Sequence, residues 1–433
     1  MQDLIKIDAY HFFLLAFGAI ALLAATIPHV LKNRPVTAPI IYASIGGILY
    51  FTGRNYEMVR IFNNLEVILR LSEFVVIVAL TGAGLKIKRP FAAHTWKFAL
   101  PLLLVTMPLT IWATMVLGQW ALGLAPASAL LFGALISPTD PVLAADIQTT
   151  SPSQKDHSRT RLALTAEAGF NDGLAFPFTI LAIYLVTKGP DVSAWLADWT
   201  VVEVVYRIAA GCAVGLALGW ILFKIIFGLT RKDQHSKISR GILSLALTLL
   251  PYAVTEMIGA YGFIAVFVAA CTFGNSERHA EYMDSLHDFS EEIEHIFIAL
   301  LFVIIGVYVA AYHRELAQWE IVLTAGTIVF VIRPIAGALA LAGSGLTAFE
   351  RFFLSFYGIR GIGSIFYLAY ALQKAPFPNS GVLVQATAAT IILSVVVHGI
   401  SAPAVISRLN EIDRGPLFSR NAIRRPKARP RKP

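Results

Sequence analysis

Long apolar runs separated by short polar ones fill the chain. They lie at about 10–31, 36–53, 63–85, 94–118, 124–148, 160–187, 201–229, 240–258, 260–274, 292–312, 318–343, 350–373 and 382–408. Most approach the roughly 20 residues that a helix needs to cross a bilayer core. A membrane β-barrel would show ~10-residue segments of alternating polarity instead, and none occur. The pattern predicts an all-α polytopic membrane protein of about 13 transmembrane helices. The eighth and ninth are separated only by GAYG. The first run is too long for a signal-peptide core and reads as a true span. The polar stretch 275–291 is acidic and predicts an amphipathic surface helix. Residues 1–414 form one membrane domain in this reading, and 415–433 a basic, proline-rich tail without fixed structure.

Two runs are interrupted. The fifth carries SPTDPV (137–142) and the twelfth carries YGIRGIGS (357–364). Pro138 and Pro141 remove backbone donors, while Gly358, Gly361 and Gly363 weaken a helix and permit close approach. The two interruptions lie seven spans apart. Broken helices at corresponding positions of two halves mark a transporter site at the bilayer midplane, and an odd offset inverts the halves in the membrane.

Composition supports a membrane protein: 57% of the residues are hydrophobic and 14% charged, against about 25% charged in soluble domains. The net charge of +8 does not point to nucleic acid. Seven basic residues occupy the tail, from Arg420 to Lys432, and most others flank apolar runs, as topology signals do. With the C-terminus cytoplasmic and the N-terminus outside, loops on the inner side carry about threefold more Lys and Arg than the outer loops. The expected location is a cell inner (plasma) membrane. Cys212 and Cys271 lie in apolar runs and read as small buried residues.

Charges at membrane depth cost about 3 kcal/mol on insertion scales, so the few present are informative. They are Glu73, Asp140, Glu167, Asp172, Arg333, Arg360 and the pair Glu203 and Arg207. Asp172 sits near the middle of the sixth span, where it can hold a proton or a desolvated cation but not both comfortably. Asn171 adds no charge, and its amide can hold the interrupted fifth helix. Thr139 and Asp140 stand between the two prolines, where freed carbonyls and a hydroxyl suit a hard monovalent cation. Asp140 can also offset a half-helix end. Glu167 and Asn171 share one helix face, whereas Asp172 points about 140° away from Glu167. Glu167 is therefore expected to pair with an arginine, Arg360 first and Arg333 as the alternative. Glu203 with Arg207 reads as a local pair, and His398 as a hydrogen-bonded packing residue.

At these residues the chain resembles the cation:proton antiporters of the NhaP and animal sodium/proton exchanger branch. The stretches SEFVVIVALTGAGLKIKRP, ALISPTDPVLAADI, TAEAGFNDGLAFP, VIRPIAG and YGIRGIGSIFYLAYAL carry the likeness, in the family's order. The resemblance implies a homodimer with two inverted six-helix repeats, whose core part moves against a dimerisation part. It implies Asp172, beside Asn171, as the carrier of cation and proton, with Thr139 and Asp140 in the unwound helix. Glu73 would line the cation path, and Glu167 with Arg360 would form an ion bridge. Many members carry serine directly after the glutamate of the sixth span, and its hydroxyl helps ligate the cation; here that residue is Ala168. The short tail suits a bacterial transporter.

The expected activity is exchange of Na+, or of Li+ or K+, for H+, electroneutral because position 171 is an amide. No catalytic residue, cofactor or nucleic acid is expected. A cation-coupled symporter of an organic solute is the alternative, though it would need more polar or aromatic groups around the broken helices. An intramembrane aspartyl protease needs facing aspartates, which GIRG does not supply. A channel suits multi-site conduction better than a single titrating site.

Overall fold

The computed structural model describes residues 9–31, 34, 36–52, 64–87, 90–141, 143, 158–229, 239–275 and 280–413. Its helices are α1 (Ala9–Leu31), α2 (Ala38–Phe51), α3 (Leu65–Lys86), α4 (Ala99–Leu122), α5 (Pro126–Ile136), α6 (Arg159–Thr187) and α7 (Leu196–Gly228). They continue as α8 (Arg240–Met257), α9 (Gly262–Gly274), α10 (Ala280–Ala311), α11 (Trp319–Ala340), α12 (Ala348–Phe356), α13 (Ile362–Lys374) and α14 (Ser380–Asp413). The fold is all-helical, and each expected apolar stretch holds helix.

Among the described residues, eight helices are long and apolar enough to cross a membrane. The shortfall from thirteen has local causes. α5 stops at the SPTDP segment, α12 and α13 are halves of one stretch, α2 and α9 have 14 and 13 residues, and α8, 18 residues long, includes Arg240, Pro251 and Glu256 and is less apolar. The surface helix expected over 275–291 is not separate: from Ala280 it runs unbroken into the tenth apolar stretch. Its apolar face explains this, because Tyr282, Met283 and Leu286 are buried in a cluster with Leu243 and Leu247 of α8 and Leu85 of α3. α8 and α9 are separate helices, joined through Gly259 at φ +68°. The tail and most of the basic loops, with residues 142 and 144–148 of the fifth stretch, lie outside the described residues.

α6 is the hub, packed by α3, α5, α9 and α13. α7 lies mostly exposed against α9, along Gly211, Gly215 and Gly219. A Cβ on Gly215 would stand 2.6 Å from the Ala265 carbonyl oxygen, so only glycine lets these backbones approach, the small-residue packing typical of membrane helices. Within α11 a π turn, Ile328–Ile332, precedes Arg333. Pro334 cannot donate to the carbonyl four residues back, and a wider turn at that point is the usual accommodation.

Candidate functional site

The chain opens after Ile136 because Pro138 and Pro141 cannot donate to a helical ladder; Ser137–Pro141 is non-helical. It opens again between Phe356 and Ile362. The two open segments meet directly, with the Asp140 amide donating to the Ile359 carbonyl at 2.7 Å. Three half-helix ends among the described residues, those of α5 and α12 and the start of α13, thus converge in the interior, and each leaves unsatisfied main-chain groups and a partial charge.

Two side chains answer these ends. Asp140, 5% exposed, accepts from the Leu143 amide through Oδ1 (3.1 Å) and from the Ile362 amide through Oδ2 (2.7 Å). A negative group therefore caps the positive start of α13. Arg360, fully buried, does the converse. Its Nε donates to the Ile136 carbonyl at the end of α5 (2.9 Å), and Nη1 donates to the Gly358 carbonyl just past α12. The Arg360 amide donates to Ser394 Oγ of α14 (3.0 Å).

Glu167 is held by Arg333, not by Arg360: Arg333 Nη2 donates to Glu167 Oε1 at 2.6 Å, with both side chains buried. This corrects the pairing expected first. Arg360 lies in the nearer-looking broken helix, but the carbonyl ends of α5 and α12 take its guanidinium. Arg333 reaches Glu167 beneath Gly358, where a Cβ would meet Arg333 Nε at 2.7 Å and Thr139 Cγ2 at 3.0 Å.

Asn171 Nδ2 donates to Thr139 Oγ1 at 2.6 Å, tying α6 to the open fifth helix. Its Oδ1 is buried without a hydrogen-bond partner among the described residues, as is Ser364 Oγ in the first turn of α13. Asp172 is 2% exposed. Its main-chain carbonyl accepts from the Tyr367 hydroxyl. Its carboxylate has no hydrogen bond or ion pair among the described residues and lies over the first turn of α13, where a Cβ on Gly363 would stand 2.7 Å from Oδ1. Glycine at 363 is what admits the carboxylate there. Asp140 is close enough for the two negative charges to oppose each other. Ala168 is buried in α6 and offers no side-chain oxygen.

Glu73 is elsewhere. Its oxygens accept from Arg70 (3.0 Å) and from the Tyr252 hydroxyl, and no bond among the described residues links it to Asp172, Asp140 or Thr139. Glu203 pairs with Arg207 at 3.1 Å and accepts from the Tyr261 hydroxyl at 2.8 Å. His398 bonds the Ser394 and Phe356 carbonyls, a packing role. The sequence reading misses Gly363 as the seat of the carboxylate and Tyr367 as its main-chain anchor. Gly363 is visible in GIRGIGS only as a packing glycine.

Comparison with known proteins bears on this arrangement. The family described as sodium/hydrogen exchanger, transmembrane, matches residues 18–408. A Na+/H+ antiporter NhaP of Pseudomonas aeruginosa is 28% identical over 298 residues, 65% of this chain and 66% of that protein. A K+/H+ antiporter NhaP of Alkalimonas amylolytica is 26% identical over 353 residues, 79% of this chain and 58% of that protein. The chain spans between 43% and 66% of the length of three such curated relatives. The solved structure of the sodium proton antiporter MjNhaP1 from Methanocaldococcus jannaschii shares the fold, with a TM-score of 0.70 at 20% identity, covering 90% of this chain and 100% of that one.

Proposed function

This chain belongs to the family of transmembrane sodium/hydrogen exchangers, and we propose on that premise that it exchanges a monovalent cation for a proton across a membrane. The observation that carries the reading is the Asp172 carboxylate: buried, without a side-chain partner among the described residues, and seated at the crossing of two broken helices. An acid there binds one positive charge at a time. A cation must displace the proton, and a proton must displace the cation, so competition for one carboxylate couples the two flows.

Around Asp172 the Asn171 Oδ1, without a partner among the described residues, is an oxygen available to a hard cation, and Thr139 Oγ1 is held in place by the Asn171 amide. Asp140 and Arg360 act in this reading as fixed charges that keep the half-helices open. Glu167 with Arg333 forms the structural bridge between α6 and α11. Glu73 lines the approach rather than the binding point. Na+ is the favoured cation, with Li+ and K+ as alternatives; the relatives named for Na+ and for K+ leave both in play. The chain would work as a homodimer in a cell inner membrane, N-terminus outside, by alternating access.

The test is a proton-flux assay on the chain reconstituted in vesicles with an internal pH dye. Adding Na+, Li+ or K+ outside should move protons in the opposite direction with at least one of the three. No proton movement with any of them sinks the antiport reading.

A further inference from the structure

The acidic stretch before the tenth apolar run has no part in the crossing, yet it builds a polar cavity of about 10 Å³ between α3 and α10. That is room for one water or one ion. Gly82 and Lys86 of α3, Pro141 of the open fifth segment, and His287, Glu291 and Glu294 of α10 line it. The start of α10 has two faces. Tyr282, Met283 and Leu286 pack in an apolar cluster with α8, while 287, 291 and 294 recur four and three apart on the face turned to α3. Glycine at 82 makes the room, since a Cβ there would stand 3.3 Å from His287 Nδ1 and 3.2 Å from Glu294 Oε1.

His287 is the informative wall. Its residue is 6% exposed, and Nδ1 is buried without a hydrogen-bond partner among the described residues. Nε2 stands 3.6 Å from Glu291 Oε2, too far for a hydrogen bond. The gap suits a shared ion instead, because two donors held at about 2.0–2.2 Å around a tetrahedral ion lie ~3.4 Å apart. Asp288 adds a third donor from the exposed side, three residues before Glu291. One donor atom from each of His287, Asp288 and Glu291 lies within 4.8 Å of the other two. His295 flanks the second oxygen of Glu291 at 4.0 Å. Lys86 attracts Glu294 and Asp288, but three carboxylates against one ammonium leave the cluster negative.

We propose that His287, Asp288 and Glu291 form a binding site for a first-row divalent metal ion of the class of Zn2+, with water completing its coordination. An imidazole beside two carboxylates selects such an ion over Ca2+ and Mg2+, which take oxygen donors. Pro141 in the cavity wall directly follows Asp140, so the metal stands at an entrance to the crossing. A dication held there repels a monovalent cation on its way to Asp172. That consequence rests on the function proposed above; binding does not.

The test uses the full chain without an affinity tag, purified in detergent and stripped with a chelator. Equilibrium dialysis against buffered Zn2+ should show one saturable ion per chain. Co2+ in its place should give a visible absorption band that Zn2+ displaces and that His287→Gln changes. Asp288 is exposed, so Asp288→Asn keeps the fold; it should weaken Zn2+ binding by more than about tenfold, the lower end of what losing even an outer-shell partner costs. His29→Gln, at an exposed histidine of α1, should leave binding unchanged. No saturable Zn2+ binding, or binding that Asp288→Asn and Glu291→Gln leave as it was, overturns the site. In vesicles, Zn2+ should slow exchange by the unaltered chain more than by Asp288→Asn, and equal slowing overturns the placement at the entrance. A chain that binds Zn2+ through these residues but moves no protons would fail the antiport reading and leave the site standing.

Discussion

Buried charge is handled differently in two regions of this molecule. Glu73 of α3 and Glu203 of α7 are each held by an arginine three or four residues away and by a tyrosine hydroxyl, Arg70 with Tyr252 and Arg207 with Tyr261. In the crossing, Asp140 and Arg360 are held by main-chain amides and carbonyls from the other half of the chain. The first arrangement compensates side chains; the second compensates broken helices. Asp172 belongs to neither, since its carboxylate is buried with no partner from side chain or main chain among the described residues. A charge without a structural duty is the one free to exchange its ligand.

The largest effect should come from removing that charge. Asp172→Asn should abolish cation-driven proton flux in vesicles. Its thermal unfolding midpoint in detergent should be unchanged or higher, because no ion pair is lost and the opposition to Asp140 is relieved. Flux at the unaltered rate would place the exchanged proton elsewhere. A large drop in the midpoint would make Asp172 a structural residue like Asp140.

The next largest effect is on stability. Glu167→Ala or Arg333→Ala each leaves a buried charge without its partner, and should cost about 3–5 kcal/mol in denaturant unfolding. The double substitution should cost much less than the sum. Arg360→Ala should show weaker coupling to Glu167→Ala, since the Arg360 guanidinium is bonded to the carbonyl ends of α5 and α12 and not to Glu167. Strong coupling between Glu167 and Arg360 would restore the pairing that the sequence first suggests.

A smaller effect is expected at the other region. Glu73 is 18% exposed and Arg70 67% exposed, so water screens their attraction, and Glu73→Gln should change stability by about 0–1 kcal/mol. Exchange should slow by less than about tenfold, equivalent to ~1.4 kcal/mol on the barrier. A loss as complete as that of Asp172→Asn would move Glu73 from the approach into the cation site.

The contrast also explains what could be read from the sequence. Hydrophobic runs gave the helices, because lipid and core both demand apolar surface. The prolines of SPTDPV and the glycines of GIRGIGS marked both breaks, since backbone donors and Cβ atoms are properties of single residues. The pair Glu203 and Arg207 was legible from its helical spacing. The partner of Glu167 was not: two buried arginines competed, and the choice depended on where the carbonyls of Ile136 and Gly358 point, which no spacing encodes. The contacts of Glu73 with Arg70 and Tyr252 were not legible as a pair of partners, because the tyrosine comes from a distant helix. The surface helix was missed as part of α10 because its polar face hid an apolar one matched to α8.

The smallest expected effect is that of voltage. Position 171 is Asn171, so among the described residues the crossing offers Asp172 as the acid without a partner; Asp140 is bound to the Leu143 amide and to the Ile362 amide at the start of α13. If one carboxylate carries either a cation or a proton, the same charge crosses in each direction and no net charge moves. A potential set by a potassium ionophore in vesicles driven by Na+ should then leave the rate almost unchanged, although one uncompensated charge would be worth about 2.3 kcal/mol per 100 mV. Competition also fixes the pH dependence. As pH falls, protons take the Asp172 oxygens and the cation concentration needed for half-maximal rate should rise; at high pH it should level off. Strong acceleration by voltage would require a second moving charge. Asp140 would be the first to examine, because its two amide contacts are bonds that a rearrangement of the half-helices could release.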